Sequence, residues 1–142
     1  MVGTVKRFEE LECWKEAREF VKLIYGLTKK DAFRKDFELV SQLRRSAVST
    51  MANIAEGFHR NSNRDFMTFL DYSRASIAES ISHCYVALDQ QYINEEEMAL
   101  VNEQANGVWK KVNTFIAYLN KHNKQNQSNQ SNKSNESNRF NQ

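Results

Sequence analysis

No proline occurs anywhere in the 142 residues, and glycine occurs only four times. The two residues that most often interrupt helices and make tight turns are nearly missing. A chain so short of breakers is constrained towards long helices. Apolar residues recur at three- and four-residue spacing in four segments, as buried helix stripes require. The first segment runs from about Glu9 to Thr28, with Leu11, Trp14, Ala17, Val21, Ile24 and Leu27 on one stripe. The second runs from about Asp36 to Arg60. The third starts near Asn63, read as its N-cap, and reaches about Gln90, with the stripe Phe66, Leu70, Ser73, Ile77, Cys84 and Leu88. The fourth opens at Asn94. Glu95, Glu96 and Glu97 fill its first turn, where acids suit the helix dipole, and Glu97 takes the capping-box position. Its stripe is Met98, Val101, Ala105, Val108, Val112, Phe115 and Leu119.

The connections span about Lys29 to Lys35, Asn61 to Ser62 and Gln91 to Ile93. The last three helices would each be roughly 40 Å long at ~1.5 Å per residue. Short links between long helices of similar length make neighbours antiparallel. The expected fold is all-α: an antiparallel up-down-up-down four-helix bundle over residues 1–122. Residues 123–142, "NKQNQSNQSNKSNESNRFNQ", hold almost nothing apolar to offset their ordering entropy, and a disordered tail is expected there. Its Asn-x-Ser triplets match glycosylation sequons, which a cytosolic chain would carry by accident.

The charged fraction of 27% and hydrophobic fraction of 40% fit a soluble globular protein. No stretch approaches the roughly 18 apolar residues of a membrane span. The N-terminal "MVGTVKRFEELECW" lacks an apolar signal core and turns acidic too early for a transit peptide. A cytoplasmic location is expected, with no membrane partner. Cys13 and Cys84 then read as free, packed thiols. The net charge is +2, and the tail accounts for all of it, leaving residues 1–122 neutral. Bulk charge therefore argues against a basic nucleic-acid binder. The distribution is uneven, however: Lys29 to Arg74 sums to +3 and Ala75 to His122 to −3.

The second helix has too much apolar arc. At ~100° per residue, Leu43, Ala47, Thr50, Met51, Ile54 and Phe58 gather in one sector that faces the bundle. Beside it, beginning at Arg44, lie Val48, Ala52 and Ala55. The opposite stripe of Gln42, Arg45, Ser46, Ser49, Asn53, Glu56 and Arg60 is mostly small and neutral. A helix with two apolar faces is buried on two sides. In so small a bundle the second side belongs to another subunit, so a homo-oligomer is expected with this helix at the contact. Loop cover, or alanines chosen for helix propensity, is the alternative. On the third helix Ser73, Ser76, Ser80 and Ala87 form a small-residue seam. Tight packing with hydroxyls bonded back to their own helix is favoured there over bonds across to the Asn53 stripe.

Catalytic chemistry finds little support. Glu56 and His59 form one Glu-x-x-His step, but a di-iron bundle needs two plus further inward carboxylates. Glu79 and His83, four apart, suit an ion pair. There is no phosphate loop, nucleophile elbow or zinc spacing. No enzyme and no cofactor are expected. Candidate phosphate contacts are Arg44, Arg45, Arg60, Arg64 and Arg74, with Lys29, Lys30, Arg34 and Lys35 in the first connection. Pairing of Arg45 with Glu56 is the competing use of those two residues.

"QLRRSAVSTMANIAEG" resembles the signature of a bacterial family of four-helix bundle proteins, among them proteins encoded in intervening sequences of large-subunit ribosomal RNA genes. The resemblance continues in "FEELECWKEAREFVKLIYGLTKK", in "FMTFLDYSRASIAES" and through "YIN" to the last helix, covering about Phe8 to Lys121. It implies an antiparallel bundle assembled as a ring-like homopentamer, and no known activity. Gln42, Arg45, Val48, Ser49, Ala52, Asn53, Ala55, Glu56 and Gly57 are the motif positions it marks as structural or interfacial. The fold is similar to that of the accessory protein of diversity-generating retroelements, which binds nucleic acid and a reverse transcriptase; that function carries over by analogy alone. Two positions depart from the pattern: Met51 stands where the family usually has proline, and Ala75-Ser76 where it often has Gly-Ser. Restoring the N–H that proline lacks should straighten the second helix. Two functions stay open, an oligomeric scaffold that binds RNA or DNA and a protein-interaction adaptor without nucleic acid. A metal-dependent oxidoreductase is a distant third.

Overall fold

The computed structural model describes residues 5–139. Four helices follow one another: α1 (Glu12–Thr28), α2 (Phe37–Phe58), α3 (Asn63–Asp89) and α4 (Glu95–Arg139), with 3-10 turns at Phe8–Glu10 and Phe33–Lys35. α1 packs against α2 and α4, and α3 packs against the same two. The result is an up-down-up-down bundle. At one end the α1–α2 and α3–α4 connections meet: Phe33 stacks on Tyr92 at 5.3 Å, the Tyr92 hydroxyl donates to Asp36 at 3.0 Å, and Lys30 bridges to Glu97. At the other end Phe8, Trp14, Phe58, Phe66 and Phe115 make a chain of edge-to-face rings through His59.

Side-chain caps fix the starts of α2, α3 and α4, whereas α1 begins after Leu11 without one. Asp36 Oδ1 accepts from the Leu39 N–H at 3.1 Å, and Ser62 Oγ accepts from the Asp65 N–H at 3.1 Å. The α3 cap is thus Ser62, one residue before the expected Asn63. Asn94 and Glu97 form the expected reciprocal box: the Glu97 N–H donates to Asn94 Oδ1 at 2.8 Å and the Asn94 N–H to Glu97 Oε1 at 3.1 Å. α3 ends through the left-handed Gln91 (φ 62°), with the Gln91 N–H bonded to the Leu88 carbonyl and the Tyr92 N–H to that of Ala87.

The core follows the stripes with one shift. Leu43, Ala47, Thr50 and Ile54 of α2 are buried, as are all the α4 stripe residues except the half-buried Phe115. In α1, Cys13, Ala17, Phe20, Ile24 and Leu27 go inside, while Trp14 and Val21 lie at the margin. α1 begins at Glu12, after a 3-10 turn at Phe8–Glu10, rather than at Glu9, and the face it buries is rotated towards Cys13 and Phe20. α2 runs unbroken through Met51, which packs half-buried against the core. The backbone of α4 is helical to Arg139, across most of the stretch expected to lack order. Leu119 is the last buried residue among those whose burial is described. Met1 to Thr4 and residues 140–142 lie outside the described residues, and with them the end of the tail.

Candidate interface on the second and third helices

α2 and α3 share the most extensive packing of the helix pairs, and small residues line both sides of the contact. Gly57 is buried, and a methyl group on it would meet Phe66 Cδ1 and Phe69 Cβ, both at 2.8 Å. Further along, hydroxyls replace methyl groups. Ser46 Oγ and Ser80 Oγ lie 2.8 Å apart, Ser76 Oγ donates to Ser49 Oγ at 3.0 Å, and Ser73 Oγ donates to the Thr50 carbonyl at 2.7 Å. The same groups also bond along their own helices, Ser80 to the Ser76 carbonyl at 2.8 Å and Thr50 to the Ser46 carbonyl at 3.2 Å. Back-bonding, the favoured expectation, is therefore half of the arrangement, and bonds between helices are the other half. They reach Ser46 and Ser49 of the Asn53 stripe and the Thr50 carbonyl, while Asn53 itself donates its amide to the Ser49 carbonyl and hydroxyl at 2.8 and 2.9 Å. No buried side-chain polar atom among the described residues is left without a partner.

The outward side of α2 is different. Phe37 is 81% exposed and Val48 39%, and Ala52 is exposed beside the half-buried Ala55. These residues share one side of the helix with Ser41 and Arg45, which are exposed too. No described residue covers this face.

The sequence matches the model of the 23S rRNA-intervening sequence protein family over residues 9–114. The chain belongs to that family. A solved structure described as a protein with unknown function from the S23 ribosomal protein family of Bacteroides thetaiotaomicron is 23% identical. The match covers 73% of this chain and 97% of that one, with a TM-score of 0.66, and it establishes a shared fold. No curated protein matches.

In this intervening-sequence protein the arginines and lysines do not form one patch. Arg44 is tied inside the bundle: its Nε donates to the buried Thr28 Oγ1 at 2.9 Å and its guanidinium lies 4.5 Å from the Tyr25 ring centre. Arg60 pairs with Glu56 at 3.1 Å and covers the Phe69 ring, so the alternative pairing of Glu56 with Arg45 does not form. The eleven-residue step from Arg45 to Glu56 places them roughly 16 Å apart along the helix axis. Arg74 is held by Asp71 at 2.6 Å and by Asn113 at 2.9 Å. Lys29, Arg34 and Lys35 are exposed at one end of the bundle and Arg64 at the other, with Arg45 on the outward α2 face alongside the exposed Gln42. The first group shares its end with Asp31, Asp36, Glu38 and the three acids that open α4, and Lys30 is already bound to Glu97. Desolvation raises the Glu97 carboxyl, but the hydrogen bonds from Lys30 and the Asn94 N–H outweigh it and hold the group below its ordinary range.

Glu56 and His59 do not act together. Glu56 turns to Arg60, while His59 caps α2 between the rings of Phe8 and Phe58. Glu79 and His83 face each other at 3.4 Å, in the ion-pair arrangement expected of them. No group of three His, Cys, Asp or Glu side chains able to hold a metal converges among the described residues. Burial pushes the Cys13 and Cys84 thiols up to about 12, which leaves both packed and unreactive. No described helix is long and apolar enough to cross a membrane. Phe37 as part of the outward face and Thr28 as the partner of Arg44 were not among the residues expected from the sequence. Phe37 was legible as the first residue after the Asp36 cap, three and four turns ahead of Val48 and Ala52 on the same side.

Proposed function

We propose that this chain is a non-enzymatic, cytoplasmic scaffold that assembles with copies of itself through the outward face of α2. The observation that carries the reading is the exposure of Phe37, Val48 and Ala52 together on one side of α2. A solvated helix face is normally dense in Lys and Glu, and a monomer gains nothing by leaving this one bare. The ring of five implied by the sequence resemblance is the assembly to test first.

RNA or DNA contact is a second reading. The exposed side chains of Arg45 and Arg64 make no ion pair among the described residues and remain available to phosphate. A ring would repeat each of them around its axis and raise the local field. The rival is an adaptor that binds protein alone, and a reverse transcriptase is a partner by analogy only.

Size-exclusion chromatography with light scattering, at low and high salt and two absorbance wavelengths, tests both parts. A mass near five chains, with nucleic-acid absorbance lost at high salt, is the expected result. A clean oligomer without nucleic acid moves the reading to the adaptor. A monomer at all concentrations overturns the scaffold.

A further inference from the structure

A groove of about 290 Å³ runs between α3 and α4, away from the outward face of α2. Its floor is apolar (Ile77, Ile81 and Ala105), and Asn102, Asn106 and Trp109 line its rim. The volume sits at the lower edge of ligand pockets, which range over ~300–1,000 Å³, and leaves room for one small ring system. The Trp109 indole is 38% exposed. Its Nε1–H and the Asn106 amide make no hydrogen bond within the described residues, and Asn102 uses only its Nδ2, towards the Tyr85 hydroxyl at 3.3 Å. Donors and acceptors therefore stand open beside an aromatic surface. The one cation at the indole, Arg74 at 5.7 Å from its centre, is neutralised by Asp71 and steadied by Asn113. The groove suits a ligand that is planar, uncharged and polar at its edge.

We propose that this groove binds a single nucleobase, stacked on Trp109 and bonded at its edge by Asn102 and Asn106. Unpaired bases are held in this way, by an aromatic platform and amides that match the base edge. The interaction is independent of the phosphate contacts considered above. It needs neither Arg45 nor Arg64, and it should be nearly insensitive to salt where they are salt-dependent.

The experiment uses the full-length protein and follows its two indole Nε1–H resonances, assigned with the Trp109→Phe variant. Adenosine and a single-stranded RNA 12-mer are titrated in 0.5 M salt, next to a 12-mer of abasic ribose phosphate. The expected result is movement of the Trp109 resonance and not that of Trp14, with no response to the abasic strand. A response to adenosine itself assigns the site to free nucleosides; a response to the 12-mer alone assigns it to the bases of a strand. Trp109→Ala should weaken binding about 5- to 150-fold, and Trp109→Phe should keep part of it. Asn106→Leu, an exposed change that leaves folding intact, should also weaken it. Equal binding of the abasic strand overturns the proposal, as does a Trp109 resonance that stays still. So does a Trp109→Ala variant that changes the mass of the assembly while base binding is unaltered. Loss of the α2-mediated oligomer with the nucleobase response preserved would count against the scaffold alone.

Discussion

The two sides of α2 are built from the same kinds of residue and meet opposite fates. Towards α3, Ser46, Ser49, Thr50 and Gly57 are matched against Ser73, Ser76, Ser80 and Phe66, and every hydroxyl has a partner. Away from the bundle, Ser41, Val48 and Ala52 are exposed, and no described residue covers them. Small residues thus permit close approach without specifying what approaches. The inner side has its partner covalently attached through the short connection at residues 59–62, whereas the outer side requires a second molecule.

Gly57→Ala is the sharpest way to break the inner side. The added methyl group must displace Phe66 or the Cβ of Phe69, and backbone-linked atoms yield poorly. A loss of about 1–3 kcal/mol is expected, read from the urea midpoint. Ser80→Ala removes one hydroxyl from the seam and should cost about 1 kcal/mol, since Ser46 keeps its bond to the Leu43 carbonyl. On the outer side, Ala52→Arg should shift the stability of the dilute chain by no more than about 0.5 kcal/mol, while the mass of the assembly falls by light scattering. A large loss of stability without a change in mass would show that the two sides are not separate. The smallest effect lies in neither face. Because the folded Glu97 carboxyl is held below its ordinary value, its contribution is present above the unfolded pKa and lost as the pH falls through the lower folded one. Glu97→Gln should therefore lower stability slightly at neutral pH and leave it unchanged at low pH, so that the acid limb below about pH 4.5 is flatter, by chemical denaturation across pH.

Much of this was legible before any coordinates. The four helices, their order and the capping box of Asn94 and Glu97 follow from spacing and from the residue types that satisfy free N–H groups at helix starts. The excess apolar arc of α2 was legible too, because periodicity assigns each residue a side of its own helix. What lay beyond reach were relations between helices. Arg44 looked like a phosphate contact, yet it locks α2 to the buried Thr28 of α1. Arg60 and Glu56 found each other one turn apart instead of Glu56 finding Arg45. The nucleobase groove joins residues of α3 and α4 separated by about 30 positions, none of them notable alone.

The sequence by itself determined the number and order of the helices, the capping box that opens the last of them, and which helix has more apolar surface than one bundle can cover. Those are properties of single segments, set by local caps and by a 3.6-residue period. Only the tertiary structure decided how far α1 is rotated, which serine meets which, and which arginines are tied to partners. Those depend on the axial register between two helices, and a shift of one residue rotates every side chain by about 100°.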